Sequence, residues 1–587
     1  MCGISGYISQ RIGERSINTY DWSNLLSSIM SRGPDSSGKC QRIEKNFEAL
    51  FCHSRLSIID PTENSNQPFS EATFNNVLTY NGEIYNYKEL IDQYSIPEEY
   101  RAGDTLALYY LLSNFNIEKV LKSITGMFSF VFYLEKEKKF IIARDSLGEK
   151  PLYIHKQIGP CGKIIVFSSD ISSFLDLEAV PVTFNKSAIE EFIDFGFTLD
   201  EKTFFNEVHE LNPGTYLIID AEYKLHIDCH RYYDFNRRDK ILSDLKIEKE
   251  IIKSVENCCM ADTPIGTFLS GGLDSTLITT LAAKYKNIVS FTVSFDSSDA
   301  ELKIAQHNAK ILKIKHKSIK IDKNKLINEV ENFFNHITEP LGDDSSFLVS
   351  LVAHEARNEN IKVLLGGDSG DEFFFGYERM NNALSNMKKF KLLDFLHTKK
   401  YKKKYTKFGK FWDLNSCSVE EFYINYYLSN SKSNWYSYQK SFNGSLSEKI
   451  RQVEIDLYLG KNNFKKLDYT TMMYGVEGRT PLASIDLLRK IPLHNVNTKT
   501  LRKKIFERIL KNENKSLKTI SYKSGFGIQE NQLIFNYLKD KNIKDKKLLN
   551  FFDVNLIDEK FDLSKFIINF RLYSLSVFLK FNNNKIL

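Results

Sequence analysis

The chain has no run of about 18 consecutive apolar residues, so no membrane-spanning helix is expected. Its N-terminus, Met-Cys-Gly-Ile-Ser-Gly, lacks the basic region and apolar stretch of a secretory leader, and a cytoplasmic location is expected. Cysteine is sparse: eight residues (2, 40, 52, 161, 229, 258, 259 and 417) are scattered without a Cys-x-x-Cys pair. That pattern indicates neither zinc nor an iron–sulfur cluster, and a cytosolic chain of this size seldom uses disulfides. Cys258 and Cys259 read as ordinary helix residues. An excess of one charge is also missing, since 80 basic and 74 acidic residues leave a net charge of +6. No nucleic-acid partner follows from that total. There is no internal repeat. The lysine-rich stretch from Lys388 to Lys410 reads as a solvated helical insertion, with an acidic partner or substrate as the second reading.

At 587 residues the chain exceeds one core, and a soft prior of about 150 residues per domain gives two to four units. The stretch with the most chemical content is Ser270-Gly271-Gly272-Leu273-Asp274-Ser275. It follows the apolar Phe268 and Leu269 and precedes Leu277, Ile278 and Leu281 at helical spacing, so it reads as strand, tight turn, helix. Glycines allow close backbone approach, and the open N–H groups of a helix N-terminus favour an anion such as phosphate. It is not the Gly-x-x-x-x-Gly-Lys-Ser/Thr loop, because no lysine follows the second glycine. The plain alternative is a turn whose glycines only relieve packing.

Removal of the initiator would leave Cys2 carrying both a thiol and a free amine. An α-amino group has a reference pKa of about 7.7–8.0 and can act as the thiol's own base. Further along come Cys52 to Asp60, Gln67-Pro68, Tyr80-Asn81-Gly82-Glu83-Ile84-Tyr85-Asn86 and Gly103-Asp104-Thr105. Read alone, Arg55 suits a surface ion pair and Asn81-Gly82 a hairpin turn.

Together these motifs resemble the N-terminal glutaminase of class II amidotransferases, the asparagine synthetase branch most closely. The glycine turn resembles the pyrophosphate loop of the ATP pyrophosphatases. The resemblance implies an αββα N-terminal-nucleophile sandwich of α+β class over residues 2–235. It implies an α/β doubly wound parallel sheet with added helices over 240–587. The polar stretch Asn236 to Asp239 suits the linker. By resemblance Cys2 is the nucleophile, Asn81 and Gly82 hold the oxyanion, Arg55 takes the glutamine carboxylate, and Glu83 with Asp104 takes its ammonium. Arg144 to Tyr153 reads as strand-turn-strand scaffold in which Arg144 and Asp145 could pair.

In the second half the resemblance implies that ATP and its pyrophosphate lie on Phe268, Ser270, Gly271, Gly272, Asp274, Ser275, Val293, Gly366, Gly367 and Asp371. Asp274 and Asp371 would face Mg2+ through the pyrophosphate. Asp368 would be a base or organiser for ammonia attack, and Lys523 would neutralise developing pyrophosphate charge. Ser290 to Asp296 and Ile361 to Leu365 read as strands, and Thr215 to about His226 as the last β-rich stretch of the first half. Glu339-Pro340 with Asp343 to Ser346 resembles an acceptor-side loop. Asp456, Lys466, Asp468, Glu477 and Arg479-Thr480-Pro481 resemble a helical segment packed behind the site, chiefly structural.

The implied substrates are glutamine, ATP and a carboxylate, aspartate by default, which would place the chain in asparagine biosynthesis. A homodimer is implied only by family analogy. Leu106 and Ser484 stand where the family has acids, which leaves open another carboxylate acceptor, such as a sugar acid or an antibiotic precursor. A non-catalytic glutamine or nucleotide sensor is the distant alternative.

Overall fold

Most strands through Arg231 are apolar runs buried on both faces, and with the helices inserted between them they fold as two antiparallel sheets. The computed structural model describes residues 2–11, 20–159, 162–175, 177–233, 242–295, 299–322, 326–395, 418–429, 436–438, 440–491, 493, 498–520, 532–544 and 563–582. The strands are β1 (Gly3–Gln10), β2 (Ser36–Ile43), β3 (Phe47–Arg55), β4 (Val77–Ile84), β5 (Gly126–Leu134), β6 (Lys139–Arg144), β7 (Tyr153–Gly159), β8 (Gly162–Ser168), β9 (Val208–Glu210), β10 (Thr215–Asp220) and β11 (His226–Arg231). One sheet runs β2-β3-β1-β8-β7-β9 and the other β11-β10-β6-β5-β4.

Ile4 and Ile8 of β1, Phe51 of β3, Val131 of β5 and Leu217 of β10 meet between the sheets. The outer faces are covered by helices. Tyr7 and Cys52 pack with Ile189 and Phe192 of the helix Lys186–Phe195, whereas Tyr80 and Phe130 pack with Leu108 and Leu112 of the helix Asp104–Asn114. The opposite exposures of Ser37 and Gly38 in β2 mark it as an edge with one face toward solvent.

From residue 265 strands alternate with helices, and the sheet is wholly parallel. It consists of β12 (Ile265–Phe268), β13 (Ile288–Ser294), β14 (Lys315–Lys320), β15 (Val363–Leu365) and β16 (Glu477–Arg479), in the order β14-β13-β12-β15-β16. Val363 and Leu365 pack on one face with Leu277 and Leu281, and Leu364 on the other with Phe347 and Val352. Such two-sided burial requires helices on both faces. The strand order reverses between β12 and β15, the switch point at which parallel sheets take ligands at the strands' carboxyl ends.

The late helix Leu563–Asn582 returns to the first half. Arg571 donates from Nη1 to the carbonyls of Ile193 (3.0 Å) and Asp194 (2.8 Å) and from Nη2 to that of Phe195 (2.9 Å). These are last-turn carbonyls of Lys186–Phe195, which otherwise lack helical partners. Gly196 ends that helix at φ +86°, and a Cβ on the facing Gly342 would come within 2.3 Å of its Cα.

Several expectations shift. The last β-rich stretch is two paired strands, β10 and β11, and extends past His226 to Arg231. The strand placed at Ile361 begins at Val363, and the one placed at Ser290 begins at Ile288 and ends at Ser294. Arg144 and Asp145 do not pair with each other. Arg144 Nη2 meets Glu210 Oε1 at 2.8 Å, while Asp145 accepts backbone N–H groups of Leu147, Glu149 and Lys150 at 2.9–3.0 Å. Both side chains close the turn: Arg144 donates from Nε to Lys150 O at 2.7 Å and from Nη2 to Gly148 O at 2.8 Å, while the Asp145 carboxylate takes the turn's N–H groups. Residues 378–395 are helical, and 396–410 of the lysine-rich stretch lie outside the described residues.

Candidate active sites

Cys2 sits just before β1 and is 8% exposed. Its backbone N–H donates to Asn81 Oδ1 at 3.1 Å, and its carbonyl accepts from Arg32 Nε at 3.3 Å. Burial pushes the thiol above its ordinary value, while the Leu56 backbone and the Arg55 guanidinium pull the other way. Asn81 and Gly82 lie inside β4, paired with Ser129 and Phe128 of β5, and are not a hairpin turn. Gly82 is required there: a Cβ would meet Met127 O at 2.1 Å. The Asn81 amide nitrogen has only a long contact, 3.4 Å, to Ser169 Oγ.

Arg55 ends β3 and is buried, not a surface ion-pair residue. Its Nη1 donates to Thr62 O (2.6 Å) and Asn66 Oδ1 (2.9 Å), and its Nη2 to Asp60 O. Among the described residues no carboxylate neutralises it, so a buried positive charge is available to an anion. Glu83 and Asp104 supply the opposite sign. Asp104 accepts from Tyr80 Oη (2.9 Å), Ile84 N (3.0 Å) and Thr105 N (2.9 Å). Glu83 Oε2 has no hydrogen-bond partner. Burial first, and then the Asp104 charge, holds the Glu83 carboxyl well above its ordinary value, and burial also raises Asp104. A cationic ligand group would reverse that cost. The structure thus brings Cys2, Asn81, Arg55, Glu83 and Asp104 into one buried neighbourhood.

The second group lies at the carboxyl ends of β12 and β15. Gly271 adopts φ +75°, and Gly272 starts the helix Leu273–Tyr285 with no side-chain cap. The helix N–H groups therefore remain open to an anion. Ser270 and Ser275 hydroxyls lie 3.0 Å apart and hold the turn, with Ser270 N donating to Ser275 Oγ at 3.2 Å. After β15, Gly366 N donates to Arg479 O at 2.8 Å. Gly367 presses on the first turn, where a Cβ would lie 3.0 Å from Asp274 Cβ and 3.2 Å from Ser275 N. Close approach of the two turns puts Asp274 and Asp371 on one cation, Arg502, whose Nη1 is 2.7 Å from Asp274 Oδ2 and also pairs with Asp371. Asp274 Oδ1 is buried with no hydrogen-bond partner. Phe268 pairs with Phe291 in β13, and Val293 follows two residues on, 9% exposed.

Asp368 lies in the turn after β15, where its charge acts on both Lys466 and Glu372. Lys466 Nζ meets Asp343 Oδ2 (3.0 Å) and Ser345 Oγ (2.9 Å). Burial lowers the Lys466 ammonium pKa, but Asp343 and Asp368 outweigh it and hold the group charged. Burial, then the Asp368 charge, pushes Glu372 up to about 7, and Glu372 Oε1 accepts from Tyr377 Oη (2.7 Å) and Asn463 Nδ2 (2.9 Å). Lys523, with the stretch Tyr522 to Gly527, and Asp296 lie outside the described residues.

Sequence reading missed Arg502, one basic residue in a run of three, and the reach of Arg479. The segment around Glu477 and Arg479 is a strand and not a helix, and Arg479 crosses to the first pocket, its Nη2 3.5 Å from Glu83 Oε1. Arg32 and Lys150 likewise cross to Asp468, at 2.8 and 3.4 Å.

Residues 1–233 match the family model described as a glutamine amidotransferase domain, and residues 246–562 that of asparagine synthase. A putative asparagine synthetase (glutamine-hydrolyzing) 2 of Methanocaldococcus jannaschii is 27% identical over 400 residues, covering 64% of this chain and 76% of the relative. Asparagine synthetase (glutamine-hydrolyzing) 1 of Bacillus subtilis is 28% identical, covering 66% of this chain and 60% of the relative. Amidase chry2 of Gibberella zeae is 29% identical, covering 64% of this chain and 60% of the relative. The chain thus spans about three fifths of the length of the latter two. With the asparagine synthase model matching more than half its length and a glutamine amidotransferase domain preceding it, the chain belongs to the asparagine synthase family.

Proposed function

We propose that the protein is a glutamine-dependent ligase that adenylylates a carboxylate with ATP and amidates it with ammonia released from glutamine. The default acceptor is aspartate, giving asparagine, glutamate, AMP and pyrophosphate. The observation that carries this reading is the convergence of Asp274, Asp371 and the uncapped Leu273–Tyr285 helix N-terminus at the sheet's switch point. Two antiparallel sheets between helical layers support the αββα sandwich, and the strand order with its reversal supports the doubly wound reading.

In the first half Cys2 attacks the glutamine carboxamide carbon, and its own amine, once Met1 is removed, takes the thiol proton. Arg55 receives the substrate carboxylate, while Glu83 and Asp104 receive the ammonium. Asn81 Nδ2 and the Gly82 N–H face the oxyanion, where one donor is typically worth about 100- to 1,000-fold in turnover. Ammonia leaves and water clears the thioester.

In the second half Ser270, Gly271, Gly272 and Ser275 cradle pyrophosphate with backbone and hydroxyl donors, Gly366 and Gly367 let the acidic turn close on them, and Phe268 and Val293 flank the base. Lys523 is kept as the pyrophosphate lysine. The residues fit Mg2+: Asp274 and Asp371 already share one cation, and Asp274 keeps a buried oxygen without a partner. Mg2+ bound there with ATP supplies charge neutralisation at the phosphates, and oxygen ligands suit it. Among the described residues no set of three His, Cys, Asp or Glu side chains converges, so phosphate oxygens would complete the shell. Asp368, between Lys466 and Glu372, is placed to orient ammonia against the acyl-adenylate. Confinement favours the step because free ammonia is mostly protonated at neutral pH.

A second reading keeps the chemistry and changes the acceptor. It is favoured by Ser484 in place of the family acid and by the two fungal amidases, chry2 and chyE, among the relatives. No helix of the described residues is long and apolar enough to cross a membrane. A homodimer remains an analogy.

Mass spectrometry of a reaction with MgATP, amide-labelled glutamine and aspartate tests the proposal. Labelled asparagine with AMP and pyrophosphate is expected. Glutamate without labelled asparagine would move the acceptor to another carboxylate, and loss of pyrophosphate release in Asp274→Asn separates an enzyme from a sensor.

A further inference from the structure

Arg502 has no role in the mechanism above, yet its Nη1 stands at the point where Asp274 and Asp371 meet. The helix Thr498–Glu513 that carries it is fixed: Leu501, Ile505 and Phe506 are buried in the same core as Leu277 and Leu281, and the Phe506 ring lies 5.0 Å from Phe374. The guanidinium itself stays within reach of solvent, its side chain 18% exposed. A packed helix therefore presents one solvent-accessible cation to the two carboxylates. Beyond that helix the chain passes over the glycine turn, where Ile520 N donates to Gly271 O at 3.0 Å.

We propose that Arg502 is a pyrophosphate-binding residue that exchanges partners. Without nucleotide it neutralises Asp274 and Asp371. With MgATP it is displaced by the divalent cation and turns to the non-bridging oxygens of the β- and γ-phosphates. Two cations cannot share one pair of carboxylates at hydrogen-bond distance without strong repulsion. The displaced guanidinium needs a new anion, and the uncapped helix N-terminus beside Asp274 holds the phosphates one side-chain reach away. A planar fork suits phosphate oxygens bidentately, which a lysine at the same place would not reproduce.

The inference rests on the reading of this crevice as the MgATP site, and its test separates the two. Binding of inorganic pyrophosphate in excess MgCl2 is measured by calorimetry on the full-length protein, and binding of Mg2+ alone is measured in parallel. Fold is checked by circular dichroism. Charged hydrogen bonds to phosphate are worth enough that Arg502→Met should weaken magnesium pyrophosphate binding about 10- to 100-fold. The same change should tighten Mg2+ alone, because the carboxylates lose their resident cation. Arg502→Lys should retain part of the pyrophosphate affinity and keep Mg2+ binding weak. Folded Arg502→Met protein that binds magnesium pyrophosphate as the unsubstituted protein does would overturn the partner exchange and leave Arg502 a structural counter-ion. Failure of the unsubstituted protein to bind magnesium pyrophosphate would remove the site reading and this inference with it.

Discussion

Arg479, at the end of β16, holds its Nη2 3.5 Å from Oε1 of Glu83 on β4, so a residue of the asparagine synthase half enters the charge balance of the buried pocket proposed for glutamine. The contact is an ion pair without hydrogen-bond geometry, since Nη2 lacks a hydrogen-bond acceptor. The same guanidinium pairs with Glu477 and donates from Nη1 to the carbonyls of Cys258 (2.9 Å) and Met260 (2.6 Å). Its own carbonyl takes the Gly366 N–H, so one residue touches both the Glu83 pocket and the acidic turn after β15.

Replacing Arg479 should therefore be felt at glutamine. Removing one partner of a buried charge pair costs about 3–5 kcal/mol, so Arg479→Ala is expected to unfold or destabilise the protein severely. Arg479→Lys keeps the charge but loses the fork to the two carbonyls. In steady-state glutaminase assays it should raise the glutamine KM about tenfold, equivalent to about 1.4 kcal/mol, with a smaller change in kcat. An unchanged KM would reduce the cross-domain contact to packing.

Cys2→Ala should abolish glutamine hydrolysis, by at least about 1,000-fold on the usual scale for a lost nucleophile. Synthesis driven by added ammonium should persist, because the described groups assigned to adenylylation lie at the parallel sheet. Product mass spectrometry with each nitrogen donor reads both halves, and hydrolysis surviving the substitution would remove Cys2 from the mechanism.

The parallel sheet of the second half was legible because strands alternating with helices depend on period and run length, whereas the sandwich of the first half followed from the resemblance of its motifs. The glycine turn at 270–275 was legible from the apolar Phe268 and Leu269 before it and the helical spacing of Leu277, Ile278 and Leu281 after it. Arg502 and Arg479 were not. The carboxylates they reach across the fold, Glu83, Asp274 and Asp371, are more than 100 residues away in sequence, and a basic residue in a run such as Leu501-Arg502-Lys503-Lys504 carries no mark of the acids it will meet. Asn81-Gly82 misled in a different way. The dipeptide favours turns, but here Gly82 is needed because β5 comes too close for a side chain, a constraint set by the paired strand and not by local preference.

That constraint gives a stability prediction independent of activity. In Gly82→Ala the new methyl would meet Met127 O at 2.1 Å and Phe128 Cα at 2.7 Å, both backbone atoms of a strand buried between layers. Neither can move without disturbing the β4–β5 ladder. Overpacking of this kind costs about 1–3 kcal/mol. The apparent unfolding midpoint of the glutaminase half should fall by several degrees, and a midpoint equal to that of the unsubstituted protein would show that the strands yield freely.

Glu372 provides a pH signature beside the acidic turn after β15. Burial, and then the neighbouring Asp368 charge, raises its carboxyl from 4.5 to about 7 in the folded protein. The folded state therefore binds a proton that the unfolded state has released between those values. Stability from this group is fully present below about pH 4.5 and is lost as pH rises through about 7, a swing of about 3 kcal/mol. Glu372→Gln keeps an oxygen to accept from Tyr377 Oη and Asn463 Nδ2 but cannot ionise. Compared with the unsubstituted protein, its melting temperature should gain steadily from pH 5 to pH 8, with the largest advantage at the alkaline end. Parallel melting curves across that range would show instead that Glu372 is already ionised, held by its two donors, and that the charge beside Asp368 is a permanent feature of the pocket.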